Sequence, residues 1–283
     1  MKDFSITAPG KVVICGEYAV LKGAPAISMA VDCRAIVRVT NSNEDCSSIR
    51  TLGYAEGLWN FILERRKFHW LGEAPSGLRI LMETIFDEIN ISLPQQISLT
   101  IDTTSFYLNG TDKKLGLGSS SAVTVALLGY LLGKNISKSS FFESARKIHK
   151  RIQDGLGSGI DVASSFYGGL LFYANERKIV SDRCLWPNDL KYQIFYSGSS
   201  SNTVDFIDRA IGADEKSWYP LCEAAQLVFD LWSTSNTKEI LRSMAIYSNT
   251  LNNFSKLNGL DILSAGHQEL FEIAHQSSLV YKP

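Results

Sequence analysis

The stretch Lys114-Leu115-Gly116-Leu117-Gly118-Ser119-Ser120-Ser121-Ala122 runs directly into the apolar series Val123 to Leu132, and this junction constrains the fold more than any other part of the chain. Gly116 and Gly118 carry no Cβ, so the backbone there can turn tightly and come close to a ligand. The three serines then fall on the first turn of a helix, where unpaired N–H groups and the positive end of the helix dipole favour an anion. The junction therefore predicts a buried helix whose start cradles phosphate, and a nucleoside triphosphate is the natural guest. It is neither of the commonest phosphate motifs: no Lys follows the last glycine as in a Walker A loop, and the third glycine of the dinucleotide pattern is absent. Taken alone, the loop reads equally well as a flexible connector before a serine-capped helix.

Two further stretches break that tie. Ala8-Pro9-Gly10-Lys11-Val12-Val13-Ile14-Cys15-Gly16-Glu17-Tyr18-Ala19-Val20-Leu21 joins a turn to a buried strand and a second glycine turn. Gly157-Ser158-Gly159-Ile160-Asp161-Val162-Ala163-Ser164-Ser165-Phe166-Tyr167-Gly168-Gly169 sets one acid at a glycine-rich helix start. With these three motifs in this order, the chain from Ile6 to Gly169 resembles the GHMP small-molecule kinases, the family of galactokinase, homoserine kinase, mevalonate kinase and phosphomevalonate kinase. The resemblance implies an α+β, two-domain GHMP kinase fold. Its nucleotide-binding N-terminal domain, of the ribosomal-protein-S5-domain-2-like type, is expected over residues 1–185, and a ferredoxin-like C-terminal domain over 186–283. The family's third glycine-rich motif would follow Val280-Tyr281-Lys282-Pro283, so the C-terminal domain is expected to be incomplete at its end.

Composition agrees with such an enzyme. A chain of 283 residues, 45% apolar and 20% charged, has room for two modest soluble domains. A formal net charge of −1 gives no general reason to expect nucleic acid, so attraction for an anionic substrate must be local. Cys15, Cys33, Cys46, Cys184 and Cys222 form no CxxC pair, which reads as reduced, mostly buried thiols. There is no signal-peptide pattern and no run of ~18 apolar residues, so a cytoplasmic protein without a membrane span is expected.

Periodicity predicts strands near Ser5 to Thr7, Lys11 to Ile14, Ala26 to Val31 and Ala35 to Thr40, followed by a polar turn through Asn41 to Ser48. Leu78, Leu81, Met82, Ile85, Phe86 and Ile89 repeat at helical spacing, whereas Ile97, Leu99 and Ile101 alternate as a strand does. Helices are predicted over Ser120 to Leu132, from a capping box at Ser140 to Glu143, and from Asp161, with a returning strand at Leu170 to Tyr173. After Pro187 the pattern resets with a strand at Tyr192 to Tyr196, a polar loop from Ser197 to Thr203 and amphipathic helices through Gln276. Arg65, Arg66 and Lys67, followed by Phe68 and Trp70, read as a lid over substrate or as a surface loop, and the loop is the preferred reading.

Phosphoryl transfer needs a seat for the triphosphate and its metal, an orienter for the attacking oxygen, and balancing charge. Lys114, Gly116, Leu117, Gly118, Ser119, Ser120 and Ser121 are the candidates for ATP binding, with a hydroxyl of Ser119 or Ser120 available to Mg²⁺ and Ser120 taken as the metal ligand. The resemblance makes Asp161 the residue that orients or deprotonates the acceptor. It sets Lys11 beside Asp161 to neutralise developing negative charge. Glu17, Tyr18, Ser158 and Gly159 are the matching substrate-binding candidates.

Gly16 to Leu21, and Gln153 with Gly157 to Ala163 and Gly198 to Thr203, resemble the mevalonate-pathway branch, and within it the phosphomevalonate kinases. The implied reaction carries the γ-phosphoryl of ATP to phosphomevalonate, with mevalonate as the alternative acceptor. A catalytically weak ligand-binding or regulatory relative is the alternative of another class. Four of the six residues Arg146-Lys147-Ile148-His149-Lys150-Arg151 are basic. Lys147, Lys150 and Arg151 share a face that either receives a substrate phosphate or is simply solvated. His149 lies off that face, as a packed core histidine does. The expected partner is a small molecule, without nucleic acid or membrane, bound by a monomer or homodimer.

Overall fold

The computed structural model describes residues 4–64, 67–89, 91, 93, 96–133, 136–174, 185–198, 203–234, 236–277 and 279–283. The chain divides into two compact units, each built from several segments. One unit holds Met1–Lys11, Ala30–Gly155 and Asp161–Gly168; the other holds Val12–Met29, Leu156–Ile160 and Gly169–Pro283. Two long strands, β1 (Phe4–Cys15) and β2 (Ala26–Asn41), run from one unit into the other.

In the first unit β2 pairs antiparallel with β6 (Ile97–Asp102), Ile36 opposite Asp102 and Asn41 opposite Ile97. On its other side β6 pairs in parallel with β3 (Ser47–Leu52), Ile49 opposite Leu99. An antiparallel meander then adds β4 (Gly57–Glu64) and β5 (Lys67–Leu71), so the strand order is β1-β2-β6-β3-β4-β5. Ile97, Leu99 and Ile101 are buried while Ser98 and Thr100 are only partly covered, the period of two expected of this strand. The helices of this unit are α1 (Ser76–Ile89), α2 (Ser119–Leu132), α3 (Lys138–Ile152) and α4 (Ile160–Tyr167), the last entering the unit at Asp161. α2 is apolar all round and its residues Ser121 to Leu128 are buried, as a helix without a polar face must be.

The second unit adds β7 (Leu170–Tyr173), antiparallel to the start of β2 with Ala26 opposite Tyr173, and the helices α5 (Thr203–Ile211), α6 (Glu215–Trp232), α7 (Thr237–Leu257) and α8 (Ala265–Gln276). Its core joins Trp218, Leu221, Val228 and Trp232 of α6 to Ile240, Tyr247, Leu251 and Phe254 of α7, with Ala19, Ile27 and Phe172 beneath.

Several expectations are corrected. The strands split at Ala8-Pro9-Gly10 and at Val31 to Ala35 are continuous, as β1 and β2; Pro9 is tolerated because β1 ends the strand order, where a missing N–H leaves no ladder bond unmade. Lys67 to Trp70 is no loop but β5: Phe68 stacks on Phe61 and Phe86 at 4.7 and 5.1 Å, and Trp70 Nε1 donates to Glu83 at 3.0 Å. Arg65 and Arg66 lie outside the described residues, as do Ser199 to Asn202. α3 begins three residues before the expected capping box, because the Ser137 side chain accepts from Ser140 N. Tyr192 to Tyr196 is not a strand, and among the described residues beyond β7 there are helices and no strand. Of the thiols, Cys15 is buried and Cys33, Cys46 and Cys222 are partly exposed, all unbonded; Cys184 lies outside the described residues. Among the described residues no helix is long and apolar enough to cross a membrane.

Candidate active site

β1 fixes the glycine loop. A Cβ at Gly10 would stand 2.5 Å from Leu117 O and 2.6 Å from Phe106 Cε1, so the backbones approach as only glycine allows. The next residue, Lys11, donates its N–H to Leu117 O at 2.8 Å. Gly116 and Gly118 hold φ of 75° and 79°, left-handed values that free the chain to turn into α2. The side chain of Lys11 lies along this turn, since a Cβ at Gly118 would meet its Cγ and Cε at 3.1 Å.

Beyond Gly118 the Lys11 ammonium meets the carboxylate of Asp161 on the first turn of α4, Nζ to Oδ1 3.0 Å, with the side chains 17% and 19% exposed. Burial pushes the Asp161 carboxyl up. The Lys11 charge and hydrogen bond, with a smaller contribution from His149, overcome it and leave the pKa below the ordinary carboxylate value. Asp161 is therefore ionised at neutral pH and is a weak proton acceptor.

The three serines differ. Ser121 Oγ donates to Gly118 O at 2.9 Å and lies 3.1 Å from Ser165 Oγ, which ties the start of α2 to α4. Ser119 is buried, whereas Ser120 is exposed at the helix start, its carbonyl accepting from Thr124. Of Ser119 and Ser120, Ser120 is the exposed residue. Lys114 is half-buried, bridged through its backbone to Tyr107, and burial lowers its pKa. Among the described residues no three His, Cys, Asp or Glu side chains gather as a metal site.

The basic face of α3 is turned to acids. Lys147 Nζ lies 2.6 Å from Glu88 Oε1, and Arg151 bridges Asp87 and Glu88 at 2.8 and 3.5 Å. Lys147 and Lys150 line an open groove of about 610 Å³ with Glu88 and Glu143. The other candidates belong to the second unit. There Glu17 pairs with Lys282 at 3.0 Å and accepts from Tyr247, and Tyr18, at a φ of 62°, packs on Phe254 with ring centroids 6.3 Å apart. Ser158 accepts at its carbonyl from Tyr173, and Gly157 and Gly159 hold left-handed φ of 92° and 84° in the turn before α4.

Residues 80–169 match the family described as GHMP kinases N terminal domain. The matched segment includes the glycine loop, α3 and Asp161; Lys11 lies outside it. Over 213 residues the chain is 30% identical to a mevalonate kinase of Pyrococcus horikoshii, a match that covers 71% of this chain and 59% of that protein. The chain thus spans less than two thirds of that relative's length. A phosphomevalonate kinase of Saccharolobus solfataricus is 25% identical over 291 aligned positions, covering 96% of this chain and 83% of that one. Among solved structures, the Streptococcus pneumoniae phosphomevalonate kinase in complex with phosphomevalonate and AMPPNP superposes with a TM-score of 0.68 at 16% identity, covering 89% and 81% of the two chains. At that identity the likeness is one of fold, and it agrees with the mixed α/β, two-unit arrangement expected from the motifs; the expected ferredoxin-like sheet over 186–283 is not seen, since the described residues there hold helices and no strand.

Three further residues were not assigned from sequence. Ser165 and Tyr173 act through hydrogen bonds to partners far along the chain, which no local pattern announces. His149 is 3% exposed and its electrostatic neighbours are Asp161 and Lys11. An apolar flank at Ile148 and a helical offset from the basic face were its only sequence signals.

Proposed function

We propose that this chain is an ATP-dependent small-molecule kinase that transfers the γ-phosphoryl group of ATP to phosphomevalonate, giving diphosphomevalonate and ADP. The observation that carries the reading is the Lys11–Asp161 pair at 3.0 Å, laid against a glycine loop that opens a helix. The free N–H groups at the start of α2, with Lys114 near by in the loop, receive the triphosphate. Asp161 orients the acceptor oxygen, and the Lys11 ammonium balances the charge that gathers on the transferred group. The hydroxyl of Ser120, an exposed residue at the start of α2, would supply one oxygen ligand to Mg²⁺, which when bound neutralises phosphate charge. Residues 1–185 serve as the nucleotide-binding domain and 186–283 as the C-terminal domain.

The weak basicity of Asp161 supports a phosphate acceptor. A phosphomonoester with a second pKa of about 6 is already ionised at neutral pH and needs orientation, not proton removal. Mevalonate is the second reading, favoured by the 30% identity to a mevalonate kinase and by the carboxylates that already engage Lys147 and Arg151. A coupled ADP-release assay with Mg-ATP and phosphomevalonate, mevalonate, galactose or homoserine tests both. Turnover with phosphomevalonate alone supports the first reading and turnover with mevalonate alone the second. Silence with all four, alongside retained ATP binding, would leave the ligand-binding reading.

A further inference from the structure

α2 and α4 are joined by two buried hydroxyls that neither the glycine loop nor the ion pair uses. Ser121 and Ser165 are both buried, and their Oγ atoms lie 3.1 Å apart. Ser121 gives its one proton to Gly118 O at 2.9 Å, so toward Ser165 it accepts, and Ser165 is the donor. Gly118 O also accepts from Ala122 N at 3.2 Å, the first bond of α2, and two donors occupy both of its lone pairs. A carbonyl held into the helix in this way turns the N–H at the other side of its planar trans peptide, that of Ser119, out of the helix start, where an anion sits. The other end of the tie reaches Asp161. Ser165 follows Asp161 by four residues in α4, so the two share a helix face. Asp161 meets Lys11 at 3.0 Å, and the Lys11 stem lies against Gly118, where a Cβ would stand 3.1 Å from its Cγ and Cε and 3.4 Å from Ser121 Oγ. Asp161, Lys11, Gly118, Ser121 and Ser165 thus close one ring of contacts.

We infer that Ser165 is a positioning residue, whose hydroxyl ties the helix that carries Asp161 to the peptide that faces the phosphates of the nucleotide, through Ser121 and Gly118 O. The ion pair to Lys11 is one attachment between the two, made by a long side chain; the serine tie is the second, and two attachments fix an angle that one leaves free. Ser165→Ala cuts the tie at α4 alone. Ser121 keeps its bond to Gly118 O, so the loop stays formed while Asp161 gains freedom. Ser121→Ala cuts the tie at both ends, since Gly118 O loses a donor and the buried Ser165 hydroxyl loses its acceptor. The effect on turnover rests on the kinase reading, whereas the tie itself does not.

Amide hydrogen exchange over residues 160–168, followed by mass spectrometry on the full chain, tests the tie without any substrate. Ser121→Ala and Ser165→Ala should each speed that exchange by about 3- to 10-fold, and the double variant should go no further than the faster single one. Exchange at the wild-type rate in both single variants, or effects that multiply in the double variant, would overturn the inference; Ser121→Ala probes the same bond should Ser165→Ala not fold. In turnover assays Ser165→Ala should lower kcat about tenfold and leave KM for ATP at its wild-type value, while Ser121→Ala should raise that KM as well. Wild-type kcat in Ser165→Ala, or a rise in its KM for ATP to match that of Ser121→Ala, would overturn the positioning role. If no acceptor is turned over, the kinase reading fails by itself and the exchange rates decide the tie.

Discussion

Asp161 sits where burial and a neighbouring cation act in opposite directions, and the cation prevails. That ordering has a pH signature. Because the folded carboxyl has a lowered pKa, it contributes stability in full above the unfolded value of about 3.9, and that stability drains away as pH falls through the folded pKa. Asp161→Asn should therefore flatten the acid side of the stability curve, measured by thermal unfolding between pH 3 and pH 6 relative to wild type. On the kinase reading the same substitution should lower turnover by roughly 10²- to 10⁴-fold while nucleotide binding persists, as isothermal titration would record. Wild-type turnover in this variant would remove Asp161 from the mechanism. The proximity of Lys11 and Asp161 was legible through the resemblance, because each lies in a glycine-marked motif that carries it. The tie of Ser165 to Ser121 was not, since no local pattern joins two serines on separate helices.

Gly118 turns the loop into α2 at a left-handed φ, with the Lys11 side chain close against it. Gly118→Ala would place a methyl against Lys11 at a φ of 79°, where an L side chain is disfavoured by about 1–2 kcal/mol. Urea unfolding should show that loss, and the displaced Lys11 should also lower turnover, so a Gly118→Ala protein with wild-type kcat would separate the loop from the pair. Ser137→Ala is the complementary case: it removes the α3 cap for about 1 kcal/mol and should leave kcat unchanged. Elements with an uninterrupted period, α1, α2 and β6, were readable from sequence. β3 was hidden because its inward positions include the polar Ser47 and Thr51 with Ile49, and β4 because Leu58 faces out. β5 was hidden by its five-residue length. What holds it, the stack of Phe68 between Phe61 and Phe86, joins three separate elements.

At the scale of the whole molecule, the second unit draws together residues no local pattern could associate. Glu17 follows β1, Tyr247 lies in α7 and Lys282 near the end of the sequence. Yet Lys282 Nζ pairs with Glu17 at 3.0 Å and donates to Val13 O at 2.9 Å, while Tyr247 Oη donates to Glu17. Glu17 and Lys282 are 17% and 19% exposed, so water replaces a lost partner poorly. Lys282→Met keeps the aliphatic stem and removes the charge, leaving the Glu17 carboxylate partly buried beside a tyrosine alone. A loss of about 3 kcal/mol is expected, read as a lower urea midpoint at an unchanged slope. Tyr247→Phe removes one neutral donor and should cost nearer 1 kcal/mol. If the network acts as a unit, adding Tyr247→Phe to Lys282→Met should cost more than it does in the wild type, because the phenol is then the last donor left to the carboxylate. Strict additivity would mean that Lys282 and Tyr247 steady Glu17 independently, and that the unit is held by the packing of α6 on α7 with the ion pair as an addition to it.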